Sequence, residues 1–109
     1  MRTAELGPGV ICVELSGEFD LWQAYWFDRE LRAIEEDDPT TLVVDPRGVS
    51  FVDSAGLARI IAARRRAQRA GRRFAVVRGC KAVERLFALT ALEHEFEMVS
   101  EPEAVLSAP

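Results

Sequence analysis

The chain has 109 residues, is 49% hydrophobic and 29% charged, and carries a formal net charge of −4. A chain of this size buries about 65% of the surface it exposes when unfolded, so one domain spanning residues 1–109 is expected, with no metal or disulfide staple. Its two cysteines, Cys12 and Cys80, lack metal-ligand or CxxC spacing, Met1–Pro8 has no signal-like apolar stretch, and no segment approaches the ~20 apolar residues of a membrane span; reduced thiols and a cytoplasmic location are therefore expected.

In chain order, Gly7-Pro8-Gly9 reads as a turn ahead of a first strand, Val10–Leu15. Asp20 is a good helix N-cap with Gln23 three residues on, and Ala24, Phe27, Leu31 and Ile34 then repeat at helical spacing until Asp37-Asp38-Pro39 ends the run. Thr41–Asp45 has too many adjacent apolar residues for a half-exposed strand, which predicts a central strand covered on both faces. A second helix begins near Ser54, buries Leu57, Ile60 and Ile61, and stops at Ala70-Gly71, where glycine supplies the left-handed turn. Arg73–Val77 is another strand and Lys81–Leu89 a third helix, with Cys80 at its start. Glu95–Val99 alternates cleanly, as an edge strand with its carboxylates in water does, and Glu101–Leu106 is a short last turn. Strand and helix alternate throughout, which predicts an α/β fold with a small, mixed, mainly parallel sheet of four to five strands covered by about four helices.

Charge is segregated along the chain. Residues 1–53 hold 4 basic and 12 acidic side chains, residues 54–92 hold 10 and 1, and residues 93–109 hold 0 and 5. The basic block, with Arg64, Arg65, Arg66, Arg69, Arg72 and Arg73, falls in the second half of a helix and the turn after it. Cations are favourable at that dipole end, and the block is expected to be a solvated face. Without a recognition helix, RNA-binding or zinc motif, direct nucleic-acid binding is not expected.

Enzymatic readings find little support. His94 lies between carboxylates and reads as an exposed surface imidazole, and nothing in the sequence brings it to Cys80. Cys80 at a helix start could have a lowered pKa, but a redox role is not favoured. No GxGxxG or GxxxxGKS loop is present to cradle a phosphate. Asp45 and Asp53 could be imagined as an acid/base or metal pair, yet strand-end and loop-ordering roles explain both. No metal or cofactor is expected.

Ser54 is where chemistry is concentrated. An apolar run ends at Val52 and a helix begins within two residues, so the Ser54 hydroxyl stands at a helix N-terminus. Its ordinary role there is an N-cap. The same unpaired N–H groups and dipole would also stabilise a phosphate added to it. On the first helix, Trp22 and Trp26 fall opposite the buried stripe with Tyr25 beside them, an exposed aromatic pair that is an unusual use of the chain's only two tryptophans.

The string Asp45-Pro46-Arg47-Gly48-Val49-Ser50-Phe51-Val52-Asp53-Ser54-Ala55-Gly56-Leu57 resembles the signature of STAS domains, the family of the anti-sigma factor antagonists. Leu15-Ser16-Gly17-Glu18-Phe19-Asp20 upstream and Val83–Leu92 downstream are similar to two further family elements, in family order. The resemblance implies a mainly parallel sheet with some antiparallel pairing near the N-terminus, and Ser54 as the phosphorylated residue; Ala55 stands where many members carry a second Ser or Thr. It further implies a non-enzymatic binding module that, unphosphorylated, binds an anti-sigma factor Ser kinase and frees a sigma factor, with a metal-dependent Ser/Thr phosphatase to reset it. The surface expected to meet the partner comprises Asp20, Trp22, Trp26, Asp53, Ser54, Ala55 and Gly56, on a monomer without membrane contacts. Two other roles fit a STAS domain: the small cytoplasmic subunit of a lipid-transport ATPase, which would not be phosphorylated, and a small-ligand sensor.

Overall fold

Leu42, Val43 and Val44 are buried to the last atom, and the strand they belong to organises the sheet. In the computed structural model, which describes residues 1–107, the elements are β1 (Arg2–Gly7), β2 (Val10–Phe19), α1 (Leu21–Glu36), β3 (Thr41–Val52), α2 (Ser54–Ala70), β4 (Arg73–Val77), α3 (Lys81–Leu89), β5 (Glu97–Val99) and a 3₁₀ turn (Pro102–Leu106). The strands lie in the order β1-β2-β3-β4-β5. β1 pairs antiparallel with β2, and every other pairing is parallel.

Alternate residues of the inner strands face two different cores. Val13, Leu15, Leu42, Val44, Phe74 and Val76 face α1, α2 and α3, meeting Phe27, Leu31, Leu57, Ile60, Val83 and Phe87. Cys12, Val43, Ala75 and Val77 face the other way and pack with Val105 of the 3₁₀ turn, with Leu6, Val10 and Val99 at the margin. The three helices thus share one face. The fourth covering element is a 3₁₀ turn on the opposite face.

Three departures from the sequence pattern have local causes. β1 is absent from the expected strands because Arg2–Glu5 is exposed and shows no burial alternation; it exists through its ladder to β2. Both β2 and β3 run well past Leu15 and Asp45, the lengths their apolar runs indicate. Pro46 would ordinarily end a central strand, but the register jumps from Glu14↔Asp45 to Ser16↔Gly48, so Pro46 and Arg47 sit in a bulge where no ladder N–H is needed. β5 is shorter than Glu95–Val99: Phe96 turns inward before it, stacked on Phe87 at 4.5 Å between ring centres.

The arginine block is a larger correction. Arg66 does not face solvent: its guanidinium reaches Glu35 at 2.8 Å and Asp28 at 3.4 Å. Arg72 donates to the Pro39 carbonyl at 2.7 Å and to Asp38 at 3.0 Å. Arg73 is half-buried and donates to Glu97, which stays exposed at the sheet edge with its carboxyl held below its ordinary pKa by that hydrogen bond. Arg64 lies over the Phe96 ring at 5.3 Å. Only Arg65 and Arg69 of the block fit the expected exposed face. Charges that are segregated along the sequence thus become partners of opposite sign in the fold.

Asp28 is the hub of that packing. It belongs to the buried stripe of α1, is only 9% exposed, and meets Arg32 at 3.0 Å, Arg59 at 3.5 Å and Arg66 at 3.4 Å. Removing it would leave guanidinium groups short of their partner inside a partly desolvated seam. Asp28→Ala is therefore expected to lower unfolding stability by about 2 kcal/mol, read as a fall in the urea midpoint at unchanged m-value.

Candidate functional site

β2 and β3 remain paired to their last residues, with Phe19 opposite Val52. The next residue on each strand is an aspartate, and each aspartate caps a helix. Asp20 accepts from the backbone N–H groups of Trp22 and Gln23, both at 3.1 Å, and Asp53 accepts from Gly56 N–H at 2.9 Å. Parallel strands with level ends thus deliver two helix N-termini to the C-terminal end of the sheet. This brings Asp20, Asp53 and Ser54 into one neighbourhood.

Ser54 is the first residue of α2 and is exposed. The cap is Asp53, so the ordinary role expected for the Ser54 hydroxyl is already filled by its neighbour. Its oxygen stands at the positive end of a 17-residue helix without being consumed by the cap. Ala55 is half-buried behind it.

Gly56 belongs to the site in a different way from its neighbours. It is buried, and a Cβ placed on it would lie 2.5 Å from the Phe19 carbonyl oxygen and 2.7 Å from the Phe19 ring. It has no surface to present; its hydrogen atom is what lets the start of α2 press against the end of β2.

The apolar part of the surface belongs to α1. Trp22 is 73% exposed and Trp26 55% exposed, with Leu21 and Tyr25 beside them. Tyr25 and Trp26 meet edge to face at 5.4 Å, and Arg29 lies over both rings while donating to the Tyr25 hydroxyl at 3.0 Å. Phe51 is also half-exposed, on the stretch of β3 opposite Glu18. Leu21 and Phe51 lie outside the expected set. Counting outward from buried Val52 along a strand places Phe51 on the other side, a signal present in the sequence but hidden by the unforeseen extension of β3.

The remaining candidates are placed away from chemistry. Asp45 is buried, and Arg47 donates to it from its backbone N–H at 3.1 Å and through two side-chain nitrogens at 2.9 Å, which raises the guanidinium above its usual pKa. With Asp45 saturated by Arg47 and Asp53 engaged by Gly56, each carboxylate has a structural partner. Burial, with Asp45 and Glu14 near, pushes the Cys12 thiol up to about 11, far from a reactive thiolate. Cys80 is buried and directs its Sγ to the Val49 carbonyl at 3.5 Å. His94 is exposed, 3.8 Å from Glu93. Among the described residues, no three His, Cys, Asp or Glu side chains are grouped to hold a metal ion, and no helix is long and apolar enough to cross a membrane. Depressions of about 420 Å³ beside Ile11 and Ile34 and about 380 Å³ beside Arg2 and Arg47 do not include Ser54.

An α/β sheet with three helices on one face and a 3₁₀ turn on the other, with a hydroxyl and an aromatic ridge at the paired starts of α1 and α2, defines a class of module that offers a helix-end surface. The family described as STAS domain matches residues 2–104: the chain belongs to the STAS domain family. An anti-sigma factor antagonist from Mycobacterium paratuberculosis is similar at 30% identity and TM-score 0.83, over 97% of this chain and 91% of that one. The Bacillus cell fate determinant SpoIIAA, solved in its phosphorylated form, is similar in fold at 17% identity and TM-score 0.77, over 95% of each chain. A sulfate transporter family protein from Wolinella succinogenes has the same fold at 19% identity and TM-score 0.70, over 87% of this chain and 80% of that one.

Gly56 allows a test of the geometry. In an ordinary helix interior Gly→Ala is worth about 1 kcal/mol in favour of alanine, but here the methyl group meets a backbone carbonyl that cannot swing aside. Gly56→Ala is expected to destabilise the fold by about 2 kcal/mol, measured by urea denaturation. A neutral or stabilising effect would show that the helix start is not held against Phe19.

Proposed function

We propose that this chain is an anti-sigma factor antagonist: a non-catalytic module whose unphosphorylated form binds an anti-sigma factor Ser kinase and frees the sigma factor, with Ser54 as the phosphoacceptor. The observation that carries this reading is the placement of an exposed, uncommitted hydroxyl at the first position of α2, beside a second helix start with exposed aromatic rings. The likeness to the mycobacterial antagonist supports the same assignment.

The chemistry of the switch follows from charge. A phosphate on Ser54 adds about −1.5 to −2 charges at pH 7. Helix N–H groups and the dipole can hold it in place, so the scaffold tolerates the modification. A partner approaching the same surface meets that charge beside Asp53 and Asp20 and must strip its water. Every 1.4 kcal/mol lost at the interface is a tenfold loss of affinity, and repulsion plus desolvation amounts to several such steps. A Ser/Thr phosphatase would restore the binding state.

A second reading, a STAS subunit attached to a transport system such as a lipid-transport ATPase, gains some support from the fold shared with the sulfate transporter family protein. It involves no phosphorylation, so the acceptor test separates the two.

Incubation with the kinase and ATP is expected to add a single phosphate at Ser54, located by intact-mass and peptide spectra; modification of Ser50 or Thr90 with Ser54 untouched would overturn the assignment. Ser54→Ala should still bind and become insensitive to ATP. Because Asp53 supplies the cap, this variant is expected to lose less than about 0.5 kcal/mol of stability, below the ~1 kcal/mol typical of a lost cap.

Trp22→Ala tests the aromatic surface. Binding of the kinase should weaken by about 2 kcal/mol, as at an interface hot spot, with the melting temperature shifting by only a few degrees because the ring lies mostly outside the core. Unchanged affinity in calorimetric titration would remove Trp22 from the interface.

A further inference from the structure

Residues 54–92 hold 10 basic side chains and 1 acidic one, Glu84. The fold gives four of those cations a carboxylate: Arg59 and Arg66 meet Asp28 of α1, Arg72 meets Asp38, and Arg73 meets Glu97. Arg65, Arg69, Lys81 and Arg85 are exposed, and among the described residues none of them has a carboxylate within salt-bridge distance. Glu84 itself is committed to the Gly79 N–H at 2.9 Å. Acid is not scarce in a chain with 18 acidic residues against 14 basic ones. The four cations are unpaired because the acids are placed elsewhere.

The helices bring the four to one face. α2 buries Ile60, Ala63 and Ala67, and Arg65 and Arg69 each follow a buried residue by two positions, about 200° round the helix, so they point away from the sheet. α3 buries Val83 and Phe87, and the same spacing turns Lys81, Arg85 and Leu89 outward. α3 does not begin level with Ser54. Cys80 directs its Sγ to the Val49 carbonyl at 3.5 Å, part-way along β3, which sets α3 beside the later turns of α2. Arg64 marks the junction: it lies over the Phe96 ring at 5.3 Å, and that ring stacks on Phe87 of α3 at 4.5 Å.

Two features set this face apart from an ordinary solvated one. Each helix spaces its cations four residues apart, Arg65 with Arg69 and Lys81 with Arg85, and like charges at that spacing repel and destabilise a helix. Lys81 also stands at the first position of α3, where the dipole disfavours a cation. Carboxylates brought from outside relieve both. Apolar surface accompanies the charge: Leu89, one turn beyond Arg85, is 76% exposed, and Ile61 and Leu86 are half-buried. An extended polyanion approaching the face is repelled by a molecule of net charge −4. A short acidic segment touches the cationic face alone.

We propose that the joint outer face of α2 and α3 docks an acidic amphipathic helix of a partner protein, its carboxylates meeting Arg65, Arg69, Lys81 and Arg85 and its apolar stripe covering Leu89. The site lies along the later turns of α2, away from Ser54 and from the Trp22 ridge, and its occupation needs no phosphorylation.

A capped synthetic helix of about 18 residues, with a leucine stripe flanked by glutamates, is the probe. Titrated into the full chain without kinase or ATP, it should shift the amide NMR signals of Arg65, Arg69, Arg85 and Leu89, with an affinity that falls as salt is raised. The same peptide with lysine in place of glutamate should not bind. Arg65→Glu with Arg85→Glu should lose at least about tenfold in affinity for the glutamate peptide and gain binding of the lysine peptide. Both positions are exposed, so its melting temperature should stay within a few degrees of the wild type. Arg65→Gln with Arg85→Gln, which adds no new charge, should lose the first peptide without gaining the second. No shift at millimolar peptide, shifts centred on Trp22 and Trp26 instead, equal binding of both peptides, or unchanged affinity in the double variants would each overturn the proposal. Tighter binding of duplex DNA or of phosphatidylglycerol vesicles than of the glutamate peptide would overturn it too. Ser54 takes no part in these measurements, so their failure leaves the phosphorylation reading standing.

Discussion

The contact between Gly56 and the end of β2 is the constraint on which the candidate surface depends. Parallel strands that finish level place their following residues side by side, but only a helix able to approach the strand end closely can begin there. Hydrogen at the Gly56 α-carbon permits that approach, and the Asp53 carboxylate, bonded to the N–H of the same glycine, turns the chain into α2 at that point. Asp20 performs the equivalent turn into α1. Two caps, one glycine and a level strand pair together bring an exposed hydroxyl and a pair of indoles to the C-terminal end of the sheet.

The charge distribution serves the same arrangement from the other end of the helices. An acidic first half and a basic middle segment look, along the sequence, like two independent faces. Folding lays α2 against α1 and turns the segregation into cross-links: Arg66 to Glu35 and Asp28, Arg59 to Asp28, and Arg72 to the loop after α1. These pairs lie partly out of water and have specific geometry, which fixes how the helices sit relative to each other. The relative position of the aromatic ridge and Ser54 is therefore set by ion pairs along the helices as well as by the strand ends beneath them. What stays exposed is correspondingly selective. Leu21, Trp22, Tyr25 and Trp26 lie on one exposed side of α1, while the opposite stripe packs into the sheet.

Much of the architecture was legible because it rests on local rules. Hydrophobic spacing identified α1, α2 and α3, the glycine at position 71 marked the end of α2 with its left-handed backbone, and the continuous apolar run at Leu42–Val44 located the central strand. The exposure of Trp22 and Trp26 followed from the same helical spacing. The Asp53-Ser54 motif pointed to the helix start at which a phosphate would be tolerated, since it depends on only a few adjacent residues.

Other features depend on partners far away in sequence, and no local pattern could supply them. β1 has no inward-facing apolar series of its own and is a strand because β2 offers it a ladder. β3 runs through Pro46 because a bulge removes the need for an N–H there. Ser54 yields the cap to Asp53, a choice that turns on the exact backbone geometry at the helix start. Asp28 is buried and Arg66 half-buried because each is a partner for the other, a pairing across 38 positions, and Gly56 matters because Phe19 is behind it. The sequence by itself determined which segments have a face to bury, where the helices start and stop, and which hydroxyl stands at a helix end. Only the tertiary structure decided which charges neutralise one another and which surface remains for a partner, because burial of a polar group depends on what is packed against it.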